Sequence, residues 1–321
     1  MLFRSHPDAG LILLWPEANT RNIGYADNIN VLREMILASG RECLIGSPEL
    51  SDFEELQSSG EPIELSPVSQ TADGVLVAGR RPDLIICNND QTHEPILTGG
   101  IPITPPSHLG WYRRRKSDHF RILNPLIEEV AEIIGIDPWL LRTRWIVSEN
   151  KCLEEESCLL ALAAEINEFL DELRQRYSAL GIDLEPRLFV KNDSGTYGLG
   201  IIEIDSGDEI LTLSNRRMKR LNYGKGGASV DNYLIQEGVP TALKWGESVV
   251  EPCGYSIAMD SPRWFFRVNA KRGILANLNT PSTEFLLPAE IASEGSDSNV
   301  RANSQWHELL ARISMLPLAV E

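Results

Sequence analysis

The residues best suited to chemistry lie between Leu188 and Gly200. Leu188-Phe189-Val190 leads into Lys191, followed by Asn192-Asp193-Ser194-Gly195-Thr196-Tyr197-Gly198-Leu199-Gly200 and then another apolar run. A lysine fixed on a strand offers a point charge to phosphate oxygens, and a glycine-rich hairpin tip lets backbone N–H groups approach them with no Cβ in the way. Lys191, Ser194, Gly195, Thr196, Gly198 and Gly200 are therefore candidate phosphate ligands. Other phosphate motifs fail on order: there is no G-x-x-x-x-G-K-[ST], no G-x-G-x-x-G opening a helix, and the lysine precedes the glycines, where in protein kinases it follows them. A glycine-rich hairpin with no ligand would have the same local sequence.

The elements that must hold this segment change in character along the chain. From Leu11 to Thr104, buried-strand runs (Leu11–Trp15, Cys43–Ile45, Leu84–Cys87, Ile101–Ile103) alternate with a helix over Asp27–Ala38, which predicts a small open α/β layer with parallel strands. Ser47 to Gly74, rich in Ser, Pro and acid, reads as an exposed excursion. The middle is helical: Asn124-Pro125 caps a stripe ending at Gly135, Asp137-Pro138 starts a short helix, and Glu154 to Leu180 forms a long one. After Pro186 come short strands with one helix near Gly207–Leu221, an antiparallel α+β pattern, and Gln305–Leu316 closes the chain. The expected division is 1–120 as an α/β substrate-side domain, 121–186 as a helical segment and 187–321 as the nucleotide-binding domain.

Composition excludes several classes. With 321 residues the chain is long enough for two or three packed domains. Lys+Arg 30 against Asp+Glu 46 gives a net charge of -16, which repels nucleic acid and anionic lipid and leaves an anionic ligand to a local basic cluster. The five cysteines are odd in number and include no C-x-x-C pair, which reads as reduced thiols in a cytoplasmic setting. Leu11–Trp15 is too short for a membrane span. His108 and His119 lack further closely spaced ligands for zinc.

Strand, lysine, glycine hairpin, strand is the order of ATP-grasp enzymes, and the C-terminal part resembles them. The resemblance implies that Tyr233–Val239 is the strand against which adenine lies, with Gln236, Glu237 and Val239 presenting a polar edge. Arg267 and Arg272 would act with Lys191 on the transferring phosphoryl group. Asn277-Leu278-Asn279 looks like the end of a Mg²⁺ site in which an acid and an asparagine stand two apart. Here the first is an amide, so a carboxylate must come from Asp260, Glu251 or Glu247, which makes Asp260, Asn277 and Asn279 the metal candidates.

Several separate blocks carry a closer likeness. Trp15 to Asn22, Cys87-Asn88-Asn89-Asp90, His108 to Phe120, Ile136 to Leu140, the Lys191 loop and Ile235 to Val239 resemble the small proteobacterial type of glutamate–cysteine ligase, from about Leu11 to Pro288. That likeness implies ATP- and Mg²⁺-dependent joining of the γ-carboxyl of glutamate to the amine of cysteine through an acyl phosphate. Arg21, Arg113, Arg114 and Lys116 become candidate carboxylate clamps, with Asn88, Asn89 and Asp90 for the ammonium group. Asn19, Arg21 and Asn22 follow the first strand, and the basic run follows Pro105-Pro106, both at strand ends where open α/β sheets take ligands. His119 is a further candidate for substrate contact, with a core or hydrogen-bonding role as the alternative. Two departures stand out: family members carry a segment ahead of the first strand, and Ala276 stands where they tend to have an acid. A ligase for another acid or amine, and an ATP-binding module without turnover, remain alternatives.

Overall fold

The computed structural model describes residues 5–17, 23–71, 73–88, 99–110, 112–194, 200–222, 232–255, 262–280, 282–293 and 304–320. The chain divides into two compact units, Met1–Arg114 and Arg115–Glu321.

In the first unit, β1 (Leu11–Pro16), α1 (Ile23–Ala38) and β2 (Glu42–Ile45) are followed by two hairpins, β3 (Glu55–Leu56) with β4 (Ile63–Glu64) and β5 (Val68–Thr71) with β6 (Gly74–Val77). Then come β7 (Leu84–Asn88) and β8 (Ile103–Thr104). The main sheet has the order β2-β1-β7-β8, parallel throughout, as the sequence leads one to expect. Every residue of β1 is buried. Ile12 and Leu14 pack towards Ala26, Ile29 and Ile36 of α1, while Leu11, Leu13 and Trp15 meet Val68, Val75 and Val77 of the second hairpin. A parallel strand covered on both faces has no polar side to show, so its sequence is an unbroken apolar run. The Ser47–Gly74 stretch departs from the exposed excursion expected: Leu50, Leu56, Ile63, Leu65 and Val68 are all buried in the two cores. Its few apolar residues are spaced so that nearly every one is used, which a composition count does not reveal.

The second unit opens with α2 (Lys116–Ile134), β9 (Trp145–Ser148), α3 (Glu156–Ala179), β10 (Leu188–Asn192), β11 (Ile201–Ile204), α4 (Asp208–Leu211) and α5 (Asn215–Asn222). There follow β12 (Tyr233–Glu237), β13 (Lys244–Trp245), β14 (Ser248–Tyr255), β15 (Arg263–Asn269), β16 (Glu284–Leu286), α6 (Pro288–Ser293) and α7 (Ser304–Met315). Two antiparallel sheets form among the described residues, β11-β10-β12-β9 and β13-β14-β15-β16. Fold class is therefore a parallel α/β unit joined to a helix-backed α+β unit. In α3, Leu162, Ile166, Phe169, Leu173 and Tyr177 recur at helical spacing and are all buried, the first four packing against Leu188, Val190, Ile202, Ile204, Tyr233 and Ile235 of the first sheet. Burying each such side chain contributes roughly 1.5–3 kcal/mol.

Three local expectations are corrected here. Helix α2 begins at Lys116, well before Asn124-Pro125, and Pro125 lies inside it; the helix starts where it is tied to another strand, a long-range bond that no local cap signal encodes. The expected helix over Gly207–Leu221 is broken into α4 and α5. Residues Trp145–Ser148, inside the helical stretch of the sequence reading, are a strand paired with β12. Among the described residues no helix is long and apolar enough to cross a membrane.

Candidate functional site

Alternation along β10 builds the site. Leu188, Val190 and Asn192 are buried, the first two in the core beneath α3, and this leaves Phe189 and Lys191 on the other face, both half-buried. Residues directly opposite in an antiparallel pair share a face. Leu234 and Gln236 of β12, Trp145 and Val147 of β9, and Ile201 and Glu203 of β11 therefore join Lys191 there. The result is a mostly apolar floor carrying one cation, one amide and, on the β11 side, the Glu203 carboxylate.

Lys191 Nζ donates to Gln236 Oε1 at 2.6 Å and lies 5.6 Å from the centre of the Phe189 ring. Gln236 Nε2 in turn donates to Thr143 Oγ1 at 2.7 Å, which turns the amide oxygen towards the lysine. Burial pulls the Lys191 ammonium down to about 8. Its hydrogen-bond partner is a neutral amide, so its charge is poorly offset in the free protein.

A second lysine arrives from α2. Lys116 Nζ donates to the carbonyls of Asn192 at 2.9 Å and Asp193 at 3.2 Å. It too is held at about 8: burial is the main cause, Asp193 opposes the fall, and Lys191 and Arg115 add to it. Two ammonium groups from different elements thus crowd the end of β10, an arrangement that is costly when empty and favourable around a multiply charged anion. This donor set fits the phosphates of ATP.

Around the lysines, Ser194 N and Oγ both donate to Asn192 Oδ1 at 2.9 Å, opening the hairpin with a tight turn. Gly195, Thr196 and Gly198 lie outside the described residues. Gly200 has a φ of +69°, and a Cβ there would stand 2.6 Å from the Arg220 carbonyl of α5. The close approach that demands glycine at this position is therefore to a helix of the same unit. Val239 is exposed, two residues past the end of β12.

Glu237 does not offer the polar edge expected of it. It shares the inward face with Ile235, is 2% exposed, and accepts bonds from Trp139 Nε1 at 2.9 Å, Arg144 N at 2.9 Å and Tyr177 Oη at 3.0 Å. Burial, followed by the neighbouring Glu237 charge, pushes the Tyr177 phenol far up, so it stays a donor. The strand's even-odd alternation, which puts Gln236 on the site face, puts Glu237 in the interior.

Arg267 is drawn to other partners. Its Nη2 lies 3.2 Å from Glu251 Oε2 and its Nε donates to Cys253 Sγ at 2.9 Å, on the face of the second sheet shared by Glu251, Cys253 and Phe265. Arg272 is exposed in the loop beyond β15. Asn277 and Asn279 are also exposed, and Asn277 Oδ1 accepts the Asn279 N–H at 2.9 Å. The buried Asn269 nearby gives its Nδ2 to the hydroxyls of Thr280 at 3.0 Å and Ser282 at 3.2 Å. This loop offers amides and hydroxyls, and among the described residues no group of three or more His, Cys, Asp or Glu comes together. Mg²⁺ favours hard oxygen donors, and Asn277 and Asn279 present only amides to it; Asp260 lies outside the described residues.

Of the substrate candidates, Asn19, Arg21, Asn22, Asn89 and Asp90 lie outside the described residues. Asn88 ends β7 beside Pro16 of β1. Its carbonyl accepts from Tyr25 Oη, which accepts the Glu17 N–H at 2.7 Å, so α1 clasps the carboxyl ends of both strands. Among the described residues the buried Asn88 Nδ2 group has no hydrogen-bond partner, a donor available to a ligand at the place where open parallel sheets bind them. Arg113 is exposed and Arg114 half-buried in the same unit. His119 lies one turn into α2 from Lys116, its ring 6.0 Å from Phe120.

The sequence profile of the family described as glutamate–cysteine ligase matches residues 1–321. The chain belongs to the glutamate–cysteine ligase family. A solved structure of a candidate gamma-glutamylcysteine synthetase from Methylobacillus flagellatus KT superposes on this glutamate–cysteine ligase family member with a TM-score of 0.80 at 29% identity, covering 99% of this chain and 78% of that one. D-alanine–D-alanine ligase from Bacillus anthracis, complexed with ATP, gives 0.45 at 10% identity over 97% and 78%. D-alanyl-alanine synthetase A from Vibrio cholerae gives 0.44 at 11% over 92% and 79%; likeness at that level carries no argument. No curated protein matches the chain.

For this ligase, sequence reasoning passed over Asp193, Ser117 and Thr143. Asp193 could have been singled out as an acid directly beyond the lysine strand, but its partner Ser117 lies 76 residues away and leaves no local sign.

Proposed function

We propose that this family member is an ATP-dependent carboxylate–amine ligase that joins the γ-carboxyl of L-glutamate to the amine of L-cysteine through a γ-glutamyl phosphate. The observation that carries the reading is the pair of half-buried lysines, Lys116 and Lys191, brought to one end of β10 from different elements, Lys191 bonded to the Gln236 amide and Lys116 to the Asn192 and Asp193 carbonyls. ATP supplies the phosphoryl group that turns an unreactive carboxylate into an acyl donor. Lys191, set by Gln236, and Lys116, set by the Asn192 and Asp193 carbonyls, would hold its phosphates and offset the charge that grows during transfer. The apolar floor around Trp145, Val147 and Leu234 suits the flat face of a base. In the first unit, the open amide of Asn88 supports a role in holding an amino-acid carboxylate. Arg267 and Arg272 stay in the reading as phosphoryl-side residues, and Gly195, Thr196 and Gly198 as the hairpin tip. Mg²⁺ would enter as the counter-ion of the nucleotide. Five cysteines, odd in number and with no C-x-x-C pair, accord with a reducing cytoplasmic compartment.

A second reading is favoured by one observation, the amide-only loop around Asn277 where an acid is expected. On that reading the chain binds ATP and turns over little. One experiment separates the two: purified protein with ATP, Mg²⁺, glutamate and cysteine, followed by phosphate release and mass identification of dipeptide. γ-Glutamylcysteine that depends on both amino acids supports the ligase; saturable ATP binding without product supports the second reading. Product from another acid or amine in a panel would overturn the glutamate and cysteine assignments.

The lysine pair also gives the reading a pH signature. Below about 8 both ammonium groups are charged and ATP affinity is expected to be flat; above it each loses its proton and affinity falls. The slope approaches about tenfold per pH unit for each proton that binding must recover. Titration calorimetry between pH 7 and 9.5 checks this, and an affinity that does not fall over that range would remove the lysines from the phosphate site.

A further inference from the structure

We propose that Asp193 is the positioning residue of the two-lysine site, fastening the start of α2 to the end of β10 so that Lys116 lies alongside Lys191 and keeps its charge. This rests on the phosphate-binding reading above and goes beyond it by assigning how the pair is assembled. Asp193 is 3% exposed and Ser117 2% exposed, so their contact is interior. The Asp193 carboxylate accepts the Ser117 N–H at 2.9 Å and the Ser117 hydroxyl at 2.6 Å, while its carbonyl accepts the Lys116 N–H at 3.1 Å. The residue before the helix, Arg115, is extended and makes no side-chain cap of its own. Asp193 therefore supplies from another strand what the helix end lacks, an acceptor for its first N–H groups and a negative charge at the positive end of its dipole.

Geometry follows from this tie. Lys116 is the first residue of α2, and the bonds that anchor its neighbour lay its side chain across the Asn192 and Asp193 carbonyls, two residues from Lys191. Among the described residues, the charged groups acting on Lys116 include Asp193 and Lys191 on the β10 side and Arg115 at its own helix end. Of these only Asp193 favours the ammonium form, against burial and two cations. Removing its charge leaves Lys116 easier to deprotonate.

The test is Asp193→Asn, which keeps the shape and an acceptor oxygen, in the wild-type and Lys116→Met backgrounds, with ATP affinity measured across pH by calorimetry. In the wild-type background the alkaline limb is expected to move down by about one pH unit, so that affinity falls about threefold at pH 7.5 and about tenfold at pH 9, the scale of losing one close opposite charge. In the Lys116→Met background Asp193→Asn is expected to change neither. Equal losses in both backgrounds with an unmoved limb would make Asp193 a plain helix cap and overturn the proposal. If Asp193→Asn does not fold, Ser117→Ala takes its place: it removes the 2.6 Å bond and keeps the charge, so affinity should drop only where Lys116 is present. A Ser117→Ala loss independent of Lys116 overturns the proposal too. Wild-type ATP affinity in both Lys116→Met and Lys191→Met would instead sink the phosphate reading itself, an outcome distinct from either result with Asp193.

Discussion

Lys191→Ala is expected to lower kcat by roughly 10²–10³-fold while leaving the protein folded, the scale of losing one preorganised electrostatic contact. An ammonium group held in a half-buried position, with its pKa drawn down to about 8, is poorly solvated before ligand arrives. Its bond to Gln236 fixes its place without neutralising it, and Thr143 keeps that amide from turning its N–H groups towards the lysine. Charge that builds on the phosphoryl oxygens during transfer meets a cation already in position, with little solvent to reorganise. Alanine removes that response and also a source of strain, so thermal stability should hold or rise slightly. Steady-state kinetics with ATP as the varied substrate, beside a denaturant melt, checks both halves; a rate within a few-fold of wild type would reduce the segment to a glycine-rich hairpin.

Glu237→Ala should do the opposite, costing about 3–5 kcal/mol of stability. Its carboxylate is the common acceptor for the Trp139 indole, the Arg144 amide and the Tyr177 phenol, and it is 2% exposed. Truncation strands three donors in a space that water enters poorly, each worth roughly 1–3 kcal/mol when left unmade. Such a loss is a large part of the 5–15 kcal/mol that typically separates folded from unfolded chains. Glu237→Gln is expected to cost only about 1–2 kcal/mol, because its oxygen still accepts while its NH₂ confronts a donor. Urea melts of both variants decide it. Equal midpoints for wild type and Glu237→Ala would mean the carboxylate faces solvent after all.

These two residues also show where sequence reading succeeds. The place of Lys191 on a strand just ahead of the turn was legible because the signal is local: strand, lysine and glycines follow one another in the chain. Glu237 was readable in principle, since it stands two residues from Ile235 on a strand and so must share its face, but a carboxylate in that place looked like a site residue. The helix stripe of α3 came through intact because five buried positions at helical spacing leave little choice. What stayed hidden was tertiary. The start of α2 is set by Asp193, a partner 76 residues away, which overrides the cap signal of Asn124-Pro125. The short strand Trp145–Ser148 has an apolar run no longer than a helix turn, and only its pairing with β12 distinguishes it. For the loop around Asn277 the departure from an acid was visible in the sequence, and the bond from Asn279 N–H shows what the amide does instead.

The alternation of β10 and β12 bears on how this protein can change over evolutionary time. Lys191 and Gln236 each stand one residue away from a side chain locked beneath α3, Val190 and Ile235, and so face the other way. Loss or gain of a single codon within either strand would turn the lysine into the core and expose valine or isoleucine in its place. Length variation among relatives should therefore gather in the turns at either end, while the strands themselves accept substitution and refuse insertion. A lineage that alters its substrate can do so by exchanging side chains on the open face, but it cannot lengthen the strands by one residue without discarding the site.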